Sequence, residues 1–270
     1  MKSHFEKKSN ERDFLWIQIS ELPYFRGLLR AVEARFYQDI EMEKPILDLG
    51  CGDGHFASTA FNSKIDVGID PWKGPVRQAH IKGSYHLVIN GEGNHLPFPD
   101  ATFQTVISNS VLEHIEDLQP VLEEVSRIIK PGGKFIFCVP NHNFLNNLSV
   151  SNFFDRIKLK IVGDQYRKFF NRISRHHHCD SPDSWSQRML NNRFKVVKWF
   201  HYFSPQALSV LEWGHYFGLP SLICKFLFKK WIIVPARWNL VFTERITRKF
   251  YEEKPNQEKG SYSFFITVRQ

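Results

Sequence analysis

Ile46-Leu47-Asp48-Leu49-Gly50-Cys51-Gly52-Asp53-Gly54 closes an apolar run on three glycines at every second position, then passes straight into His55-Phe56-Ala57-Ser58-Thr59-Ala60. A short run that is apolar on both faces reads as a buried parallel strand, and the glycines that follow read as a tight turn opening a helix. Glycine at such a turn permits positive φ and lets a ligand approach backbone that carries no Cβ. The first N–H groups of the helix lack partners within it and face whatever binds there. The unit implies a nucleotide-like ligand, but an ordinary tight turn can look the same, so the flanking sequence has to decide.

Upstream, residues 5–43 read as helical. Phe25, Leu28, Leu29, Val32 and Phe36 recur at i, i+3, i+4, i+7 and i+11, and Pro23 helps to start the stripe. Downstream, residues 65–70 form a second strand ending in Asp70, residues 85–91 a third and residues 103–108 a fourth. The spacing predicts one helix over 111–130, ended by Lys130-Pro131-Gly132-Gly133, and a fifth strand over 134–139. Strands alternating with helices imply right-handed βαβ crossovers and a doubly wound α/β fold, whose ligand lies beyond the carboxyl ends of the strands. The rest predicts short helical pieces over 142–182, a helix over 184–192, a strand over 194–203, a helix over 205–217 and a closing strand over 261–268. Lysines interrupt the apolar run of 221–235 well short of the roughly 20 residues a spanning helix needs.

The 270 residues suit one large α/β domain with additions, at 42% hydrophobic and 24% charged. Net charge is +8 but unevenly spread: residues 1–150 are net −4 and residues 151–270 net +12. The second half is also rich in aromatic residues. A basic half can attract nucleic acid, anionic lipid or a phosphorylated substrate, or be a solvated surface. Four widely spaced cysteines without a CxxC pair argue against a disulfide framework and fit a reducing cytoplasm. Residues 1–8 lack an apolar run, so no secretory leader is expected.

Five ordered motifs now stand together: Leu47–Gly54, Gly68-Ile69-Asp70, Gly91-Glu92-Gly93-Asn94-His95-Leu96-Pro97-Phe98-Pro99-Asp100, Ser110-Val111-Leu112-Glu113-His114, and Leu122 through Lys130-Pro131-Gly132-Gly133. From residue 46 to 141 the chain resembles a class I S-adenosylmethionine-dependent methyltransferase, close to the type 11 methyltransferase domain. The resemblance implies a Rossmann-like, mostly parallel seven-stranded sheet with an antiparallel last strand. It divides a single domain into an N-terminal helical cap (1–43), a cofactor-binding core (44–141), a lid insertion (142–182) and the remainder of the sheet (183–270) with a basic, apolar insertion at 218–255. It implies that Gly50, Cys51, Gly52 and Gly54 pack against the methionine and ribose of S-adenosylmethionine, and that Asp48 binds the cationic amino group. Asp70 would accept from the ribose hydroxyls, Glu92 from the adenine amino group in place of the usual Asp, and Gly93 and Asn94 would border the adenine. Pro97 and Phe98 would shape the adenine wall, and Asn109 and Ser110 would line the pocket beside the reactive methyl group. The spacing G-x-G-x-G also argues against a dehydrogenase, since a pyrophosphate site prefers G-x-G-x-x-G.

Methyl transfer to a hydroxyl needs an in-line nucleophile, exclusion of water and a base for the proton. Candidate bases are His114, His142 and, from the run His176-His177-His178, His178. Adjacent histidines do not readily converge on one ion, so no metal is expected. Ser108-Asn109-Ser110-Val111 lacks the Asn/Asp-Pro-Pro-aromatic motif of base amino-methylases. Cys138 is followed by Val139, not Pro, and reads as core rather than a nucleophile. The expected acceptor is a hydroxyl on a small molecule, glycan or lipid-linked compound, with residues 221–235 able to touch a membrane surface from the cytoplasm. An RNA methyltransferase, or a non-catalytic S-adenosylmethionine-binding protein, is the alternative.

Overall fold

The computed structural model describes residues 12–255 and 258–270. Residues 1–11 of the expected helical cap lie outside the described residues. From residue 12 onward the cap is two helices, α1 (Phe14–Glu21) and α2 (Tyr24–Tyr37), where the sequence predicts one. Pro23 separates them: it has no N–H with which to continue α1, and it fits just ahead of the first turn of α2. Asp13 caps α1 by accepting from the Trp16 N–H at 3.2 Å. The α2 stripe packs inward as its spacing requires, with Leu28, Val32 and Phe36 buried.

The core then alternates. β1 (Ile46–Leu49), α3 (His55–Ala60), β2 (Ile65–Asp70), α4 (Lys73–Lys82), β3 (Tyr85–Asn90), β4 (Phe103–Asn109), α5 (Gln119–Ile128) and β5 (Ile129–Pro140) follow in turn. Beyond them lie α6 (Ser149–Arg156), α7 (Lys160–Ser174), α8 (Pro182–Asn191), β6 (Phe194–Tyr202), α9 (Pro205–Phe217), α10 (Leu219–Phe228), α11 (Arg237–Tyr251) and β7 (Tyr262–Arg269). The seven strands form one sheet in the order β3-β2-β1-β4-β5-β7-β6. β1 to β5 pair in parallel, and β7 runs antiparallel to both β5 and β6. This is the doubly wound sheet with an antiparallel last strand that the sequence implies. The chain winds outward from β1 to β3, then returns to place β4 on the other side of β1. That reversal opens a crevice beyond the carboxyl ends of β1 and β4.

Side chains alternate across the sheet and divide the core into two layers. On one side Ile136, Cys138 and Phe264 pack with α1, α2 and α9. On the other, Phe135, Phe137 and Phe265 pack with Val121, Leu122 and Val125 of α5 and Trp185 and Met189 of α8. Part of the aromatic content of the second half is therefore sheet core: Phe194, Phe264 and Phe265 are fully buried. Burial of each such ring stabilises the fold by about 1.5–3 kcal/mol.

Two expectations need correction. The apolar run 111–130 is not one helix: a 3-10 turn at Leu112–His114 precedes α5, which begins only at Gln119. Lys130-Pro131-Gly132-Gly133 does not simply end that helix but opens β5, with a bulge between the pairs Phe103↔Ile129 and Thr105↔Lys134. Residues 142–182, expected as a lid, hold α6 and α7, and residues 218–255, expected as an insertion, hold α10 and α11. Leu222, Ile223, Phe226 and Phe228 of α10 are all more than half exposed. Among the described residues no helix is long and apolar enough to cross a membrane.

Candidate active site

The glycine loop is built onto the end of β2. The N–H groups of Gly50 and Cys51 both donate to the Ile69 carbonyl, at 2.9 and 3.0 Å. Gly52 N–H donates to Asp70 Oδ2 and Trp72 N–H to Asp70 Oδ1, each at 2.9 Å. Asp70 is buried, and each of its oxygens keeps a further lone pair for a ligand. Gly50, Gly52 and Gly54 all have positive φ, between 55° and 78°. At Gly50 the need is double, because a Cβ would fall 2.4 Å from Val111 Cγ1.

Beyond this loop lies a cavity of about 450 Å³, a size that suits a drug-sized ligand. Its walls include Gly50, Asp70, Glu92, Gly93 and Asn94, which the sequence picks out. They also include Trp72, Val111, His114 and Asp117, of which the sequence picks out only His114. Trp72 is 69% exposed and stands beside Asp70; a large aromatic two residues past a strand-end acid is the signal that could have found it. Phe98 packs edge-on against Phe103, with centroids 4.9 Å apart, and Cys51 and Gly54 are buried behind the loop.

Asp48 is buried as well, and its Oδ2 accepts from the Tyr85 hydroxyl at 2.7 Å. Burial pushes this carboxyl up to about 6, against the opposing pull of the Tyr85 hydrogen bond and the Arg30 charge. Tyr85 lies 37 residues away at the start of β3, too remote for spacing to connect the two.

A second cavity, about 590 Å³, opens on the other side of the 110–114 turn. Ser110, Glu113 and His114 share its wall with Phe25 and Arg30 of α2, with His176, and with Leu222 and Trp231 of the basic, apolar insertion. His114 lines both cavities. Under the turn sits a polar network centred on Glu33 of α2, which is fully buried. It accepts from Asn109 Nδ2 at 2.6 Å, Ser110 Oγ at 3.0 Å and the Tyr202 hydroxyl at 3.0 Å, and Arg30 lies 3.4 Å away. Asn109 is thereby turned into the interior, while Ser110, at φ +54°, reaches the second cavity. Glu33 falls in a helix that reads as amphipathic, and only its partners reveal it as more than a solvated acid. Cys138 is buried with its Sγ 3.1 Å from Asn109 Oδ1, and burial pushes its thiol well up. It is core, not a nucleophile.

The end of the 142–182 segment is tied to the same turn. The N–H groups of His177 and His178 donate to the Glu113 carbonyl at 2.7 and 3.4 Å, and His178 Nε2 lies 2.9 Å from the Ile115 carbonyl. His114 Nδ1 is 3.0 Å from the Arg175 carbonyl oxygen. That bond assigns the proton to Nδ1 and leaves Nε2 with a lone pair. Burial lowers the basicity of His114, and brings His176 down to about 3. Glu113, 1% exposed, is pushed up by burial to about 8. Of the histidines read as candidate bases, His114 lies on a cavity wall. His142 is exposed beside His201, and His178 is occupied in holding the end of the 142–182 segment, with its neighbour His176 facing the cavity instead.

Residues 47–137 match the sequence model of the methyltransferase domain. A probable S-adenosylmethionine-dependent methyltransferase of Mycolicibacterium smegmatis is 33% identical over 101 residues, which are 36% of this chain and 38% of that protein. A ubiquinone biosynthesis O-methyltransferase of Vibrio atlanticus is 30% identical over 111 residues, 39% of this chain and 47% of that protein. The chain thus spans less than half the length of these curated relatives. Among solved structures, an S-adenosylmethionine-dependent methyltransferase of Thermotoga maritima, described as a possible histamine N-methyltransferase, superposes with a TM-score of 0.56 over 92% of this chain and 91% of its own, at 16% identity. A geranyl diphosphate C-methyltransferase of Streptomyces coelicolor does so with a TM-score of 0.53 over 92% and 84%, at 15% identity. At such identities these two structures speak for the fold alone. The matched sequence covers every strand of the first cavity's wall, and over these residues the chain is similar to S-adenosylmethionine-dependent methyltransferases.

Proposed function

We propose that this protein binds S-adenosylmethionine in the first cavity and methylates a hydroxyl group presented from the second. The observation that carries this reading is the position of His114, on the wall of both cavities at the crevice beyond β1 and β4. The residues fit the cofactor: Asp70 keeps free lone pairs for two ribose hydroxyls, Glu92, Gly93 and Asn94 line the side where the adenine would lie, and Gly50 lets the loop pass against Val111 on the same wall. Asp48, buried behind the loop, supplies negative charge for the ammonium group. The cofactor contributes an electrophilic methyl group on a sulfonium. The chain's own part is to hold the acceptor oxygen in line, exclude water and take the hydroxyl proton. His114 Nε2, with its lone pair fixed by the Nδ1 bond to Arg175, is the base we assign.

The acceptor side favours a compound with an apolar portion, a small molecule or a lipid-linked glycan. Phe25, Leu29, Leu211, Leu222 and Trp231 supply apolar wall, and Arg26, Arg30 and Arg175 supply positive charge for an anionic group. Leu222 and Trp231 also belong to the exposed apolar segment 221–235, which suits delivery from a membrane surface. The RNA alternative draws on the same charges, but the apolar wall of Phe25, Leu29, Leu211, Leu222 and Trp231 favours an acceptor with an apolar portion.

Calorimetry tests the first step. The purified chain should bind S-adenosylmethionine, and Asp70→Ala should weaken binding by about 1–3 kcal/mol, the size of lost hydrogen bonds to a charged group. A parent protein that shows no binding would sink the proposal.

A further inference from the structure

Glu113, His114 and His176 each offer one ligand atom, and these atoms all lie within 4.8 Å of one another. The sequence argues against a metal because adjacent histidines cannot converge; here one histidine comes from the turn after β4 and the other from the end of the 142–182 segment, 62 residues on. Their rings face each other with centroids 5.3 Å apart. His114 Nε2 carries a lone pair, since Nδ1 donates to the Arg175 carbonyl, and it lies 3.9 Å from Glu113 Oε1. His176 Nδ1 is turned toward Cys179 Sγ at 3.7 Å, which leaves Nε2 for another partner. The outward nitrogen of each ligand is thus held by a neighbour, as metal-binding imidazoles usually are.

A second observation is independent of this clustering. Glu113 is 1% exposed, lines the second cavity, and has an Oε2 atom with no hydrogen-bond partner. A buried carboxylate oxygen left unpaired is costly and calls for an unseen partner. Arg30 is directed to Glu33 and the Asn109 carbonyl at 3.4 and 3.1 Å, so it does not supply that partner. The positive charges of Arg26, Arg30 and Arg175 on the same wall oppose a cation, so the ligands must hold it by coordination and not by field alone.

We propose that Glu113, His114 and His176 form a divalent transition-metal site on the wall of the acceptor cavity. Two imidazoles and one carboxylate suit zinc, cobalt or iron(II) and leave coordination positions open toward the cavity. An acceptor oxygen there would be polarised by the ion and would lose its proton more readily; with the ion bound, His114 Nε2 is its ligand, and the ion replaces it as the group that prepares the hydroxyl. This last step rests on the second cavity being the acceptor site; the metal site itself does not.

Cobalt(II) is the probe. The full chain, stripped with a chelator and dialysed, is titrated with Co2+ while visible absorption and calorimetric heat are followed. We expect about one ion per chain, histidine-type ligand-field bands, and loss of affinity by roughly 100-fold or more in His176→Ala and in Glu113→Gln. His142→Ala should bind Co2+ like the parent. S-adenosylmethionine titrations on the same samples separate the two readings: Asp70→Ala should lose cofactor and keep cobalt, and His176→Ala the reverse. Circular dichroism identifies any variant that fails to fold, and His176→Gln then takes its place. A parent chain that binds no Co2+, or one whose binding survives both Glu113→Gln and His176→Ala, overturns the site.

Discussion

Two residues, Gly50 on the wall of the first cavity and Asp48 behind its glycine loop, show how much hangs on single groups. Gly50 combines φ +78° with a Cβ position 2.4 Å from Val111, whereas Gly52, at φ +55°, has nothing within 4 Å of its Cβ. Gly50→Ala should therefore lower stability by about 1–3 kcal/mol and weaken cofactor binding, with Gly52→Ala milder in chemical denaturation because it suffers backbone strain alone. Asp48 makes the pH dependence. Its carboxyl is raised from 3.8 to about 6, so between those values the native state holds a proton that the unfolded state has released. The stability it contributes is full below about pH 4 and lost as pH rises through about 6. Cofactor binding should move the other way, since a cationic ligand favours the ionised carboxylate: affinity should rise as pH climbs through about 6. Tyr85→Phe removes a donor to the charged form and should shift that rise to higher pH. Calorimetry across this range that shows flat affinity would separate Asp48 from the ligand.

Elements that bury one clean stripe, or run apolar through the sheet, were legible: the α2 stripe, α9 and strands β1, β2 and β4 lie close to where their patterns put them. The failures have physical causes. α4 buries only Ala79, so it carries no apolar stripe to read. Val111, Leu112 and Ile115 match a helical period with α5, but their intervening turn instead presents the Glu113 and Ile115 carbonyls to His177 and His178. The anchor of the 142–182 segment was equally hidden. Glu212 of α9, fully buried, accepts from the N–H groups of Ser149 and Val150 at 2.6 and 3.1 Å and from Ser149 Oγ at 2.6 Å. It caps α6 from another helix, where the dipole favours a carboxylate. Glu212→Ala should cost about 1–3 kcal/mol and speed amide hydrogen exchange over residues 149–156 well before the sheet is affected. Unchanged exchange there would show that the cap does not hold the segment.

At the scale of the whole molecule, the first cavity was readable and the second, built partly from the basic half, was not. The wall of the first cavity comes from consecutive loops of one sheet edge, so its residues follow one another in sequence. The second cavity draws Phe25 from α2, Phe144, His176, Leu211 and Trp231 from five separate stretches, and no local pattern joins them. The same half leaves Phe226, Phe242 and Trp238 each at least 75% exposed, among Lys225, Lys229, Lys230 and Arg237. Apolar rings flanked by lysines suit an anionic bilayer: rings enter the acyl boundary while ammonium groups meet the headgroups. The full chain should co-sediment with phosphatidylglycerol-containing vesicles more than with phosphatidylcholine alone, and less so as salt is raised. Phe226→Ser and Phe228→Ser should each reduce partitioning by roughly tenfold or more, from the apolar area no longer buried. The cofactor titration should be unaffected, because neither residue touches the first cavity. Retention on vesicles that ignores both substitutions would assign the attraction to charge alone. RNA binding with a steep salt dependence, in a chain that leaves vesicles untouched, would instead make the basic half a nucleic-acid surface.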